Sequence, residues 1–320
     1  MTGNAAENLS HIQFSIIIPT KNRARQLIGL IRQLRDQDYP KNAFEIIVVD
    51  NNSTDSPVPL LEKGRYANLR ILSEFRRGPT FCRNWGFRHA RYDHVIFLDD
   101  DISISRHFLL SCEQAWRDHP DAAAIGGRIL TKIRNRDTRK HDLSLTYAPF
   151  FGVQDYGPSP SRLPNRSFLL SSVLSVRKKQ SGGYDLFHTK LGRFYGPLLV
   201  YGEDFELSTR FLLENRIVVY TPTIRAYHKV KDARFSKRYI AARSLLSGIE
   251  CYLEDRYLSR QFSSYQSETK SRQLLRHLFP PSPKTREDFF WPLHDPFVIA
   301  FLVGYFFLGP IVYLISHLDR

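Results

Sequence analysis

Cysteine is scarce, with only Cys82, Cys112 and Cys251 in a chain of 320 residues. They are odd in number, far apart and without metal-ligand spacing, which argues against a disulfide framework or a zinc site and makes a reducing cytoplasm the simpler setting. The N-terminal stretch MTGNAAENLSHIQF lacks a basic region followed by a long apolar run, so no secretory signal is expected. The two common phosphate loops are missing as well. No GxGxxG follows the first strand signal and no GxxxxGKS or GxxxxGKT occurs, so bound phosphates would have to be met by a metal or by basic side chains. No internal repeat is visible.

Apolar residues at 42% and charged residues at 24% are globular values, and the length fits one large domain or a domain with an appendage, of which the second is expected. The formal charge of +14 calls for an anionic partner: nucleic acid, acidic lipid headgroups or a phosphorylated substrate.

The first half alternates strand and helix signals. FSIII (Phe14 to Ile18) is a β-branched run stopped by Pro19, after which Leu27, Leu30, Ile31 and Leu34 recur at helical spacing. FEIIVV (Phe44 to Val49) ends at Asp50 and a turn rich in capping residues, and LRILS (Leu69 to Ser73) is a third strand. A helical stretch from Phe81 to Ala90 leads to HVIFL (His94 to Leu98). This alternation predicts a doubly wound α/β sheet, whose ligands bind beyond the carboxyl ends of the strands. Asp50 and the Asp99, Asp100, Asp101 cluster both follow a strand, so they should face one crevice. From about Arg128 to Arg166 the chain is irregular and basic and reads as loops over that crevice. GGYD (Gly182 to Asp185) reads as a turn, Glu203 and Asp204 open a helix with Asn215 as its C-cap, and a strand runs to Tyr220. A long basic helix is expected over Phe235 to Phe262.

Three adjacent aspartates admit two readings. Asp99 and Asp101 can turn to the same side of extended backbone and hold Mg²⁺ or Mn²⁺, which prefer oxygen ligands. Alternatively, Asp101 or Ser105 caps the helix containing Phe108, Leu109, Cys112 and Trp116. The position at the end of a buried strand favours the metal.

The segments FSIIIPTKNRARQL, EIIVVDNNSTD, FLDDDI, GGYD and GEDFELSTRFLLENRIVVYTP, followed by YHKV, resemble the successive motifs of family 2 glycosyltransferases, from Phe14 to Val230. The resemblance implies an inverting, hexosyltransferase-type enzyme with the GT-A fold: a Rossmann-like, mostly parallel central sheet with helices on both faces. It implies that Pro19 and Thr20 line a nucleotide pocket, that Asp50 accepts a hydrogen bond from the base, and that Asp99, Asp100 and Asp101 form the DxD region meeting the ribose and a metal-bound diphosphate. Arg83 and Asn84 fall near the donor, although Arg83 could equally be a solvated helix-face residue. Asp204 becomes the general base with Glu203 in support; otherwise the pair simply suits a helix N-terminus. His228 joins Asp99 and Asp101 around the metal or is a structural histidine. Asparagine at 215, where the family usually has glycine, tolerates the same left-handed backbone.

The expected organisation is a flexible N-terminus over 1–13, a GT-A domain over 14–230 (nucleotide-binding part 14–127, acceptor and catalytic part 128–230), a basic helical extension over 231–290 and a hydrophobic tail over 291–320. The expected partners are a nucleotide-sugar donor and a saccharide or lipid-linked saccharide acceptor, with Mg²⁺ or Mn²⁺ on the diphosphate, in surface polysaccharide or glycolipid assembly. A phosphohydrolase or nucleotidyltransferase would usually show more metal ligands or a nucleophile motif. A nucleic-acid-binding protein would explain the charge, but no RRM, KH or zinc-finger signature supports it. In the tail, Phe297 to Ser316 carries no charge and has about the ~20 residues of a spanning helix. With Phe289, Phe290 and Trp291 as an aromatic belt and Lys284 and Arg286 upstream, it predicts attachment at the cytoplasmic face of a membrane. Gly309-Pro310 leaves an interfacial or packed segment as the alternative.

Overall fold

Four β-branched runs become adjacent parallel strands: β1 (Phe14–Thr20), β2 (Phe44–Asp50), β3 (Leu69–Ser73) and β4 (His94–Leu98), ordered β3-β2-β1-β4. The computed structural model describes residues 11–55, 61, 67–132, 151–163, 167–181, 185–195, 198–230, 234, 236–262, 300 and 303–312. Beyond β4 the sheet continues through β8 (Val173–Arg177), β6 (Ala122–Lys132), β11 (Ile217–Lys229) and β5 (Ile102–Ile104), with β7 (Ser161–Arg162) also on β11. β8 is antiparallel to both its neighbours, whereas β6 and β11 are parallel, so the sheet is mixed but mostly parallel. A separate hairpin is formed by β9 (Arg193–Tyr195) and β10 (Leu198–Val200).

Because side chains alternate along a strand, β1 feeds two cores. Ile16 and Ile18 pack with Leu27, Leu30, Ile31 and Leu34 of α1 (Ala24–Arg35) and with Phe108 and Trp116 of α3 (Phe108–Asp118). Ile17 packs on the opposite face with Phe87 of α2 (Pro79–His89) and with Leu207 and Phe211 of α4 (Glu203–Leu213). Helices therefore cover both faces, as the alternating pattern predicts. Past α4, Asn215 takes the left-handed conformation (φ 56°) and the Arg216 N–H returns to the Phe211 carbonyl at 2.8 Å, which ends the helix as expected.

Several expectations need correction. The stretch read as loop from Arg128 begins as strand, since β6 runs to Lys132; residues 133–150 lie outside the described residues, as does most of the GGYD turn. The last strand does not stop at Tyr220. Pro222 is accommodated where the register shifts between Thr221 and Arg225, and β11 then continues to Lys229, placing His228 in the strand opposite Ile102. The helix-cap alternative for the aspartates also falls. β5 intervenes, and α3 starts at Phe108 behind His107 with no side-chain cap.

The expected basic helix is α5 (Lys237–Gln261), whose Ser236 hydroxyl accepts from the Tyr239 N–H at 3.2 Å as an N-cap. Among the described residues no helix is long and apolar enough to cross a membrane, so the expected insertion finds no support. Lys284, Arg286 and the Phe289, Phe290, Trp291 belt lie outside the described residues, as do parts of Phe297 to Ser316. The described part, residues 303–312, packs on α5. Tyr305 is buried and donates its hydroxyl to Asp255 Oδ2 at 2.7 Å, while a Cβ at Gly304 would stand only 2.0 Å from the Leu245 carbonyl oxygen. Only glycine permits that approach, so this apolar stretch is partly buried by protein.

Candidate active site

The parallel register brings the predicted residues to one edge. Thr20 pairs with Asp50 at the ends of β1 and β2, and β4 delivers Asp99 next to them. Two cavities open there. A first, of about 360 Å³, is lined by Pro19, Thr20, Asn51, Pro79, Cys82 and Asp100. A second, of about 280 Å³, is lined by Asp101, His228, Glu203, Asp204 and one face of α5. Arg23, Arg83, Asp99 and Tyr201 border both.

The three aspartates take three different partners. Asp100 is buried, accepts from the Thr20 hydroxyl at 2.8 Å and from Arg23 Nη1 at 2.9 Å, and burial still pushes its pKa up to about 6. Asp101 accepts from the same Arg23 nitrogen at 2.8 Å and lies 3.4 Å from His228 Nε2. Burial works against its charge, but His228 and Arg23 outweigh that and hold the carboxyl below its usual range. Asp99, a third exposed, accepts from Arg83 Nη2 at 2.8 Å. Asp50 is buried beside Asn51, with its carboxylate taking the Ser53 hydroxyl at 2.5 Å.

Arg83 is not a solvated helix-face residue. It is 4% exposed, and its second nitrogen, Nη1, donates to Glu203 Oε1 at 2.8 Å. One guanidinium thus faces the carboxylates of Asp99, Glu203 and Asp204. A single positive charge does not offset the buried Glu203 and Asp204 carboxylates together with the partly exposed Asp99, so their charged forms are disfavoured: burial and the neighbouring Asp204 push Glu203 up to about 8, and burial raises Asp204 in spite of Arg83 and Ser171. Glu203 Oε2 and Asp204 Oδ1 are buried with no hydrogen-bond partner among the described residues. Asn84 differs from its expected role. Its amide accepts from the Phe187 N–H at 2.9 Å and donates to the Phe187 carbonyl at 2.8 Å, so it clamps α2 to a loop and lines neither cavity.

Among the described residues no cluster of three or more His, Cys, Asp or Glu side chains is arranged to hold a metal. The donor set nevertheless fits Mg²⁺ or Mn²⁺, which need only one or two protein carboxylates when phosphates complete the shell. His228 Nδ1 lies 2.7 Å from the Phe151 carbonyl, an acceptor, so Nδ1 carries a proton, and Nε2 faces Asp101 Oδ1 at 3.4 Å. Burial disfavours the charged ring, but Asp101 outweighs it and raises the His228 pKa, so a metal held between them would have to displace the Nε2 proton.

Sequence reasoning missed Arg23, Tyr201, Arg243 and Glu250. Arg23 lies three residues past Thr20 in TKNRAR, a signal that was legible. The other three carry none, because they reach the site through α5 and the turn before Glu203.

A mostly parallel mixed sheet, helices on both faces and a carboxylate-rich crevice at the strand ends define a GT-A fold. Residues 15–179 match the profile of Glycosyl transferase family 2, and the chain belongs to that family. Over 101 residues it is 37% identical to the poly(ribitol-phosphate) beta-N-acetylglucosaminyltransferase TarS of Staphylococcus aureus, a match covering 31% of this chain and only 18% of TarS. It is 22% identical over 249 residues to the dolichyl N-acetyl-alpha-D-glucosaminyl phosphate 3-beta-D-2,3-diacetamido-2,3-dideoxy-beta-D-glucuronosyltransferase of Methanococcus voltae, covering 72% of this chain and 73% of that one. The solved mannosyltransferase PcManGT of Pyrobaculum calidifontis, in complex with GDP-Man and Mn²⁺, shares the fold with a TM-score of 0.56 at 16% identity, over 97% of this chain and 74% of its own.

Proposed function

We propose that this protein is an inverting glycosyltransferase that moves a sugar from a nucleoside-diphosphate sugar to a hydroxyl of a saccharide or lipid-linked saccharide, in surface polysaccharide or glycolipid assembly. The observation that carries this reading is the unpartnered Oδ1 of Asp204, buried in the same cavity that Asp99, Asp101 and His228 line. The printed name of the Methanococcus voltae enzyme, a dolichyl-linked saccharide transferase, supports a lipid-linked saccharide acceptor, and that of TarS, with poly(ribitol-phosphate), supports a polymeric one. Neither a phosphohydrolase nor a nucleic-acid-binding module finds support among the relatives.

Pro19 and Thr20 line the cavity for the nucleoside, and Asp50, buried next to the lining Asn51 though not itself in the lining, would meet the base. Asp99, Asp101 and His228 would hold Mg²⁺ or Mn²⁺, which when bound neutralises charge on the departing diphosphate as a Lewis acid. Arg23 fixes Asp100 and Asp101 and adds positive charge on the same side. Asp204 takes the proton from the attacking hydroxyl, a step contributing typically ~10²- to 10⁴-fold in rate. Its raised pKa makes it a stronger base than an ordinary aspartate. Attack from the face opposite the leaving diphosphate inverts the anomeric centre without a covalent intermediate. Thermal shift against a panel of sugar nucleotides with and without Mn²⁺ tests the reading, since a bound donor stabilises the fold by mass action. No metal-dependent shift with any donor would sink it.

A further inference from the structure

Helix α5 lies beyond the matched family segment, which ends at residue 179, yet it braces the turn that leads to Asp204. Glu250 Oε1 accepts from the Tyr201 backbone N–H at 2.9 Å, and Arg243 grips both oxygens of that carboxylate at 2.8 Å each. The Arg243 guanidinium also lies over the Tyr201 ring, 5.0 Å from its centroid. One helical turn further on, Glu254 seats against Gly202 (φ 105°), where a Cβ would stand 2.4 Å from its Oε1. Glu203 follows, bonded to Arg83 and through it to Asp99. Contacts thus run unbroken from α5 to the end of β4.

Tyr201 stands where the two cavities meet and keeps 40% of its surface exposed, although its backbone is held by a buried ion pair. An aromatic ring held open at such a junction has a face to offer. On the α5 side of the ring the Arg243 charge is paired with both oxygens of Glu250, and burial with neighbouring carboxylates raises the Glu254 pKa well above the ordinary range. Tyr239 and Ser247 add hydroxyl-bearing side chains to the wall. This chemistry suits the apolar face and hydroxyls of an uncharged sugar better than a phosphate or carboxylate.

We propose that α5 builds the acceptor subsite: an uncharged sugar residue of the acceptor packs on Tyr201, and the Arg243–Glu250 pair is the positioning device for that ring and for the turn carrying Asp204. The proposal rests on the glycosyltransferase reading. Its test uses the full chain without turnover, so that the two can fail separately. Binding of methyl β-glucoside and methyl N-acetyl-β-glucosaminide is measured by saturation-transfer NMR, with and without UDP and Mn²⁺, against methyl β-glucuronide and glucose 6-phosphate. The uncharged glycosides should bind more tightly than the charged ones, with Tyr201→Leu weakening them about tenfold and Tyr201→Phe retaining them. Glu250→Gln should speed amide exchange at Tyr201 and Gly202 by about tenfold or more while β1 stays protected. Absence of any glycoside binding, preference for the charged probes, an indifferent Tyr201→Leu or unchanged exchange in Glu250→Gln would each overturn the proposal. Failure of every sugar nucleotide to bind sinks the donor reading instead, and these readouts still decide this one.

Discussion

Replacing Arg83 with methionine removes the one guanidinium that lies between Asp99 and Glu203, at 2.8 Å from each. Methionine fills much of the volume, so the loss is mainly electrostatic. Breaking a buried ion pair by deleting one partner typically costs ~3–5 kcal/mol, because the other charges stay buried and uncompensated. The loss should depend on pH, and its sign follows from linkage. Without Arg83 the folded-state pKa of Glu203, already about 8, rises further above its unfolded value. The folded state then binds more protons than the unfolded one, so stability falls as pH rises from the unfolded carboxylate range through the folded pKa. Urea unfolding of Arg83→Met against wild type should therefore show a modest loss near pH 5.5 that begins to grow as the pH passes about 8 and is larger near pH 9.5. Adding Glu203→Gln should restore part of it, as expected for residues in one network. A pH-independent loss below ~1 kcal/mol, the range of exposed pairs, would refute the reasoning.

Asp204→Asn should keep donor and metal affinity by calorimetry yet lose at least ~10²-fold in single-turnover transfer, and the wild-type rate should fall on the acid side at a higher pH than an ordinary aspartate would set, since burial raises Asp204 and its protonated form is no base. Equal loss of affinity and rate would make it a structural residue. Asp101→Asn should abolish metal-dependent transfer while the protein still folds, at a lower melting temperature because Arg23 and His228 lose the charge they face, since a neutral amide is a poor ligand for a hard cation; metal titration against activity checks this. Gly202→Ala should destabilise by at least ~1 kcal/mol in denaturant unfolding, since φ is 105° and the new Cβ meets Glu254 Oε1 at 2.4 Å.

Periodicity and punctuation sufficed to determine the first half of this protein. Short β-branched runs alternating with 3.6-residue apolar spacing specify parallel strands under helices. Once the strands are parallel, Asp50, Asp99 and Asp101 must come to one edge, because successive carboxyl ends point the same way. Asn215 and the opening of α4 at Glu203 were legible for the same reason, as local backbone rules acting within a few residues. Three adjacent aspartates, however, look alike in a sequence. Their division of labour comes from Thr20, Arg23, Arg83 and His228, which long-range packing brings to them from up to 127 residues away. Whether Arg83 is solvated or buried between carboxylates depends on which face of α2 meets α4, and no local pattern encodes that. An apolar run such as 303–312 reports only that water is excluded. The fold decided that α5 excludes part of it, and that a helix beyond the family segment braces Tyr201, because those contacts join stretches of chain whose sequences carry no mark of one another.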